Sequence, residues 1–117
     1  MKDYKKLVVW EKSHKIVLDL YTLTKSFPVE ERFNLINQLR RSGISIPTNI
    51  AEGCGKFTQN DFVSYLQIAL RSTQETEYLC FLSNELGYID KDSYDRVYQA
   101  MGEVKAMLIS LIKKIRK

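Results

Sequence analysis

The chain has 117 residues, 44% of them apolar and 27% charged, which fits one soluble globular domain over residues 1–117 with a modest core. Its basic start leads into no long apolar run, and nowhere do about 18 apolar residues follow one another, so the sequence offers neither a secretory leader nor a membrane span. The net charge of +4 attracts polyanions without specifying a fold, and its distribution says more than its size: residues 1–26 sum to +3, 27–57 to +1, 58–89 to −3 and 90–117 to +3.

A first helix is expected from about Val8 to Ser26. Trp10, Val17, Tyr21 and Thr24 line one face, flanked by Val9, Ile16, Leu20, Leu23 and Phe27. Phe27-Pro28 ends it, because a residue before proline is pushed out of the helical region. Pro28, Glu30 and Glu31 suit the first turn of a second helix, which is expected to run to Gly53 or Gly55.

That second helix carries residues helices usually avoid. In QLRRSGISIPTNIAEGCG, the polar residues Gln38, Arg41, Ser45, Asn49 and Glu52 share one side at about 3.6 residues per turn. Leu39, Gly43, Ile46, Ile50 and Cys54 share the other. Arg40 falls in the apolar half, where a cation must snorkel out or find a partner. Pro47 removes the hydrogen bond to the Gly43 carbonyl and should kink the helix, with Gly43 giving room for the bend. Cation, amide and carboxylate at these spacings can satisfy one another at a helix or subunit seam, or they can contact a ligand.

GCGKFTQN is the longest polar connection, and Thr58 with Asp61 makes a capping-box start for a third helix from Asp61 to Leu86. Phe62, Leu66, Ala69, Thr73, Thr76 and Cys80 keep one face. Val63, Ile68, Leu70, Tyr78, Phe81 and Leu82 spread apolar surface around the rest, which points to cover by another subunit, with Tyr78 and Leu82 as candidate interface residues. Gly87 supplies the C-terminal cap and Asp90 the start of a fourth helix. There Tyr94, Val97, Met101, Val104, Leu108, Leu111 and Ile115 repeat every three or four residues, as in antiparallel bundle packing. Four helices on short connections, with no strand, imply an all-α, up-down-up-down antiparallel four-helix bundle.

Catalytic and metal chemistry lack their parts. His14 is the one histidine; with Glu11 it forms a single ExxH, which cannot build a two-copy di-iron site. GCGK lacks a phosphate-loop pattern, since Ile50 and Phe57 stand where Gly and Ser or Thr belong, and it joins two helices. Cys54 and Cys80 have no CxxC spacing and read as reduced, buried thiols in a cytoplasmic protein. No enzyme, no metal and no cofactor is expected.

At QLRRSGISIPTNIAEG the chain resembles the four-helix bundle proteins encoded in intervening sequences of bacterial 23S rRNA genes. LVVWEKSHKIVLDLYTLTKSFP is similar to that family's first helix, SYLQIALRSTQETEYL to its third and LGYIDKDSYDRV to its entry into the fourth. Gly43 and Ile44 stand where the family would have Ala or Val, and Arg71 where it often has Gly. The resemblance implies a ring-shaped homopentamer without assigned catalysis. A similar protein, the accessory variability determinant of diversity-generating retroelements, binds a reverse transcriptase and nucleic acid. By that likeness this chain is expected to bind RNA, or DNA, through basic patches repeated around a ring, or else to serve as a scaffold docking a partner protein such as a reverse transcriptase. Lys113, Lys114, Arg116 and Lys117 are the leading phosphate contacts, unless they are simply a solvated helix end; Lys5, Lys6, Arg40 and Lys56 are further candidates.

Overall fold

The computed structural model describes residues 2–116; Lys117 lies outside the described residues. A short 3₁₀ turn at Tyr4–Lys6 precedes four helices: α1 (Val8–Thr24), α2 (Leu35–Cys54), α3 (Gln59–Glu85) and α4 (Lys91–Ile115). Each packs on its sequence neighbour, and α1 also packs on α4, which closes a four-helix bundle 44 Å long with short axes of 24 and 20 Å.

Side-chain pairs fix every neighbouring pair as antiparallel. Arg40 near the start of α2 reaches Thr24 at the end of α1, while the backbone N–H of Lys2 donates to the carbonyl of Cys54. Across α2 and α3, Ser42 meets Thr76 and Ser45 meets Ser72. Glu77 on α3 pairs with Lys105 on α4, and Lys12 on α1 with Glu103 on α4. Every helix therefore reverses its predecessor, and one end of the bundle gathers residues 2–7, the α2–α3 turn and the end of α4.

The core confirms the apolar sides of α2, α3 and α4. Leu39, Gly43, Ile46, Ile50 and Cys54 are buried on α2; Phe62, Leu66, Ala69, Thr73, Thr76 and Cys80 on α3; Val97, Met101, Val104 and Leu108 on α4. Among the described residues every buried side-chain nitrogen or oxygen has a hydrogen-bond partner. Both cysteines are buried and free, and burial pushes the Cys80 thiol up to about 12.

Three expectations shift, and Gly43 gains a second role. The inward line of α1 is Val9, Ser13, Ile16, Leu20 and Thr24, while Trp10 and Val17 are half-buried and Tyr21 is exposed. Ser13 is tolerated in the core because its hydroxyl donates to the Trp10 carbonyl, so a polar residue continues the apolar line. The second helix does not begin at Pro28: Val29–Glu31 form a 3₁₀ turn, Asn34 leaves helical geometry (φ −128°, ψ −98°), and α2 starts at Leu35. Gly43 also makes room for a neighbouring helix, because a Cβ there would stand 2.5 Å from Leu20 Cδ1. On α4 the inward line starts at Ser93 and ends at Ile112, which leaves Tyr94 half-buried.

The caps follow the sequence closely. The Thr58 hydroxyl accepts from the Asp61 N–H at 3.1 Å, and an Asp90 carboxylate oxygen accepts from the Ser93 N–H at 3.2 Å. Gly87, at φ +81°, ends α3 with its N–H on the Asn84 carbonyl, followed by the Tyr88 N–H on the Ser83 carbonyl. Among the described residues no helix is long and apolar enough to cross a membrane.

Candidate nucleic-acid interface

Antiparallel reversal brings together cations that are far apart in the chain. Lys5 and Lys6 lie in the 3₁₀ turn, which Asp3 caps by accepting the Lys5 N–H at 3.1 Å. The Lys2–Cys54 backbone bond of 2.8 Å ties this turn to the end of α2. Lys56 follows on the α2–α3 turn, its ammonium 5.1 Å from the centre of the Tyr65 ring. Lys113 and Lys114 occupy the last turn of α4, where the helix dipole favours cations, and Arg116 caps it.

Lys2, Lys5, Lys6, Lys56, Lys113, Lys114 and Arg116 thus share one end of the bundle with four carboxylates, Asp3, Glu11, Glu52 and Asp61. All seven cations are exposed. The opposite end has the reverse balance: Lys25, Arg32, Arg40 and Lys91 against Glu30, Glu31, Glu85, Asp90 and Asp92. The ion pairs among the described residues, Lys12–Glu103, Lys15–Asp19, Lys91–Asp95 and Lys105–Glu77, leave all seven cations of the basic end unpaired. Like charges held together without partners raise the local potential and attract a polyanion.

Six of the eight cations singled out from sequence meet at this end: Lys5, Lys6, Lys56, Lys113, Lys114 and Arg116. Lys117 lies outside the described residues. Arg40 stands apart, near the opposite end and half-buried. Its Nε–H donates to Thr24 Oγ1 at 2.9 Å and its guanidinium lies 4.3 Å from the centre of the Tyr21 ring, so the partner demanded by its apolar position comes from α1. Lys2 joins the six without having been singled out, although it belongs to the same basic start.

The polar stripe of α2 is only partly connected. Asn49 Nδ2 donates to the Ser45 carbonyl at 2.8 Å and to its hydroxyl at 2.9 Å, and Ser45 and Ser72 hydroxyls lie 2.8 Å apart across the seam with α3. Gln38 donates back to Asn34, while Arg41 and Glu52 are exposed and form no ion pair among the described residues. Arg41 borders a shallow groove with Gln38, Ser45, Ser72 and Glu75.

An aromatic face lies on the flank of α3 and α4. Tyr78 (59% exposed), Phe81 (46%) and Tyr98 (51%) border one groove with the half-buried Tyr94. Ring centres are 6.4 Å apart for Phe81–Tyr94 and 5.8 Å for Tyr94–Tyr98. Leu82, expected beside Tyr78, is half-buried and packs partly against the core, as Tyr94 does. The Tyr94–Tyr98 spacing of four residues was the available signal for this face, and the apolar repeat of the fourth helix masked it.

The molecule is thus an all-helical bundle with one cationic end and one aromatic flank. The chain belongs to the 23S rRNA-intervening sequence protein family, whose model matches residues 5–110. It is also similar to the crystal structure of a protein with unknown function from the S23 ribosomal protein family of Bacteroides thetaiotaomicron VPI-5482. The two are 34% identical with a TM-score of 0.84, over 91% of this chain and 99% of that one. No protein of curated function matches. The family resemblance read from QLRRSGISIPTNIAEG is confirmed.

Proposed function

We propose that this protein is a non-enzymatic, oligomeric RNA-binding protein of the cytoplasm that grips phosphates with its basic end. The observation that carries the reading is the gathering of seven exposed cations from three separate stretches of chain, with no ion pair to any of them among the described residues. A helical bundle that repeats this end around a ring multiplies a modest charge into a strong field. The homopentameric ring is carried over from the family likeness. The aromatic face of Tyr78, Phe81, Tyr94 and Tyr98 supports self-association, because exposed aromatic clusters of this kind favour protein contact.

The non-enzymatic reading is supported by the surroundings of the one histidine. The His14 ring is stacked on Trp10 with ring centres 5.0 Å apart, and among the described residues no cluster of three His, Cys, Asp or Glu could hold a metal. The test is fluorescence anisotropy with a labelled RNA, comparing the parent with Lys113→Glu plus Lys114→Glu. Binding that falls by roughly tenfold or more for every RNA sequence tried supports phosphate contact at this end. Equal affinity of parent and variant contradicts it. If the parent binds no RNA but retains one protein from a nuclease-treated extract, the basic end serves a partner polypeptide instead.

A further inference from the structure

Resting on the RNA-binding reading, we propose that Phe57 is a stacking platform for an unpaired base, which makes single-stranded RNA the preferred ligand of the basic end. Phe57 is 91% exposed on the α2–α3 turn, directly after Lys56 and before the capping Thr58. An apolar ring held almost wholly in water contributes nothing to the core. Among the described residues it has neither an aromatic nor a cationic partner, so both of its faces are open.

The turn that carries it is held at both edges. On one side the N–H groups of Gly55 and Lys56 donate to the carbonyls of Glu52 and Gly53; on the other Thr58 caps α3. The Lys56 ammonium is drawn toward Tyr65 rather than over Phe57. A ring presented on a short, hydrogen-bonded turn loses little freedom when a base stacks on it.

A second exposed phenylalanine shows what singles out Phe57. Phe33 is 86% exposed, but it lies at the end where carboxylates outnumber cations, and the Arg32 guanidinium sits 5.9 Å from its ring centre. Phe57 instead stands among the seven cations that would hold the phosphates of a strand. Aromatic rings interleaved with cations are how sequence-tolerant single-strand binders work: cations track the backbone and rings take the bases. Duplex RNA presents no free base faces, because its own stacking occupies them. A membrane anchor is the poorer fit. Thr58, Gln59 and Asn60 follow Phe57, and one ring beside polar residues provides far less apolar surface than an interfacial helix.

The test compares Phe57→Ala, Phe57→Leu and Phe57→Tyr with Phe33→Ala and with the parent. Each is titrated into a single-stranded RNA carrying 2-aminopurine, a duplex RNA of equal charge, and anionic lipid vesicles. Exposure at both positions keeps these variants folded, and thermal melting verifies it. The expected result is a loss of about tenfold in single-strand affinity for Phe57→Ala and Phe57→Leu, equivalent to about 1.4 kcal/mol. Duplex affinity should stay within about twofold. Phe57→Tyr should restore binding, Phe33→Ala should leave it unchanged, and quenching of 2-aminopurine should disappear with the leucine. Undiminished single-strand binding by Phe57→Leu overturns the stacking role while leaving phosphate binding intact. Loss of vesicle binding with RNA binding unchanged overturns it in favour of a membrane contact. Absence of RNA binding by the parent overturns both readings.

Discussion

Leu20 and Gly43 interlock where α1 crosses α2: a Cβ built on Gly43 would lie 2.5 Å from Leu20 Cδ1, and Leu20 is almost wholly buried. The glycine is therefore a site of close helix approach. Alanine in a helix is ordinarily favoured over glycine by about 1 kcal/mol, but overpacking a closed core costs about 1–3 kcal/mol. Gly43→Ala should accordingly lower stability by about 1 kcal/mol. Gly102 is exposed in α4, and a Cβ added there would meet nothing within 4 Å. Gly102→Ala should therefore do the opposite and raise stability by about 0.5–1 kcal/mol. Urea denaturation of the two variants decides the matter; the same sign for both would contradict the close approach at Gly43.

Arg40 should behave as a structural residue. Replacing it with alanine removes the hydrogen bond to Thr24 and the guanidinium over Tyr21, at a cost of about 1–3 kcal/mol. RNA affinity should remain within about twofold of the parent. A strong loss of affinity at unchanged stability would return Arg40 to the interface. Lysine at this position should rescue little, since it lacks the planar group that meets ring and hydroxyl together.

The Cys80 thiol supplies a pH signature. Its folded pKa is raised to about 12 by burial, with Glu77 adding to the effect. Protonation is thus favoured in the folded state, and the corresponding stability is fully present below the unfolded value of about 8.5. It declines as pH rises from there toward 12. Cys80→Ala should flatten the alkaline fall in melting temperature. A thiol reagent at pH near 8 should modify Cys80 only on the time scale of unfolding, and fast modification of the folded protein would contradict its burial.

Asp90 acts in the opposite direction. Its hydrogen bonds with the side chain and N–H of Ser93 lower its pKa, so its capping contribution is present above the unfolded carboxylate value of about 3.9. That contribution is lost as pH falls through the folded value. Asp90→Ala should reduce helix stability at neutral pH and make the acid limb of the melting profile shallower. A parallel downward shift at every pH would contradict the cap assignment.

Much of this molecule was legible in its sequence because the signals were local. Thr58, Gly87 and Asp90 punctuate the chain through bonds to residues only three or four positions away, and the apolar sides of α2 and α3 follow from helical periodicity alone. Arg40 was legible as a problem, a cation on an apolar face, but its solution by Thr24 and Tyr21 depended on how two helices cross. Gly43 was half legible for the same reason: Pro47 is its neighbour along the helix, whereas its closeness to Leu20 of α1 exists only in space. Ser13 and Ser93 hid the inward lines of α1 and α4, since a serine whose hydrogen bonds are met locally can replace an apolar residue. The basic end was half legible. Its cations stood out, but only antiparallel reversal shows that Lys5, Lys56 and Lys114 share one surface and that Arg40 does not.

The most direct measurement is the affinity of the purified protein for a single-stranded RNA across a salt series. Phosphate contact through the basic end predicts a straight log–log plot with a slope of about −0.7 for each phosphate neutralised, hence steeper than about −2 if three or more cations engage. Lys113→Glu with Lys114→Glu should make that slope shallower as well as weaken binding. An affinity indifferent to salt, or no binding even at low salt, would contradict the central claim.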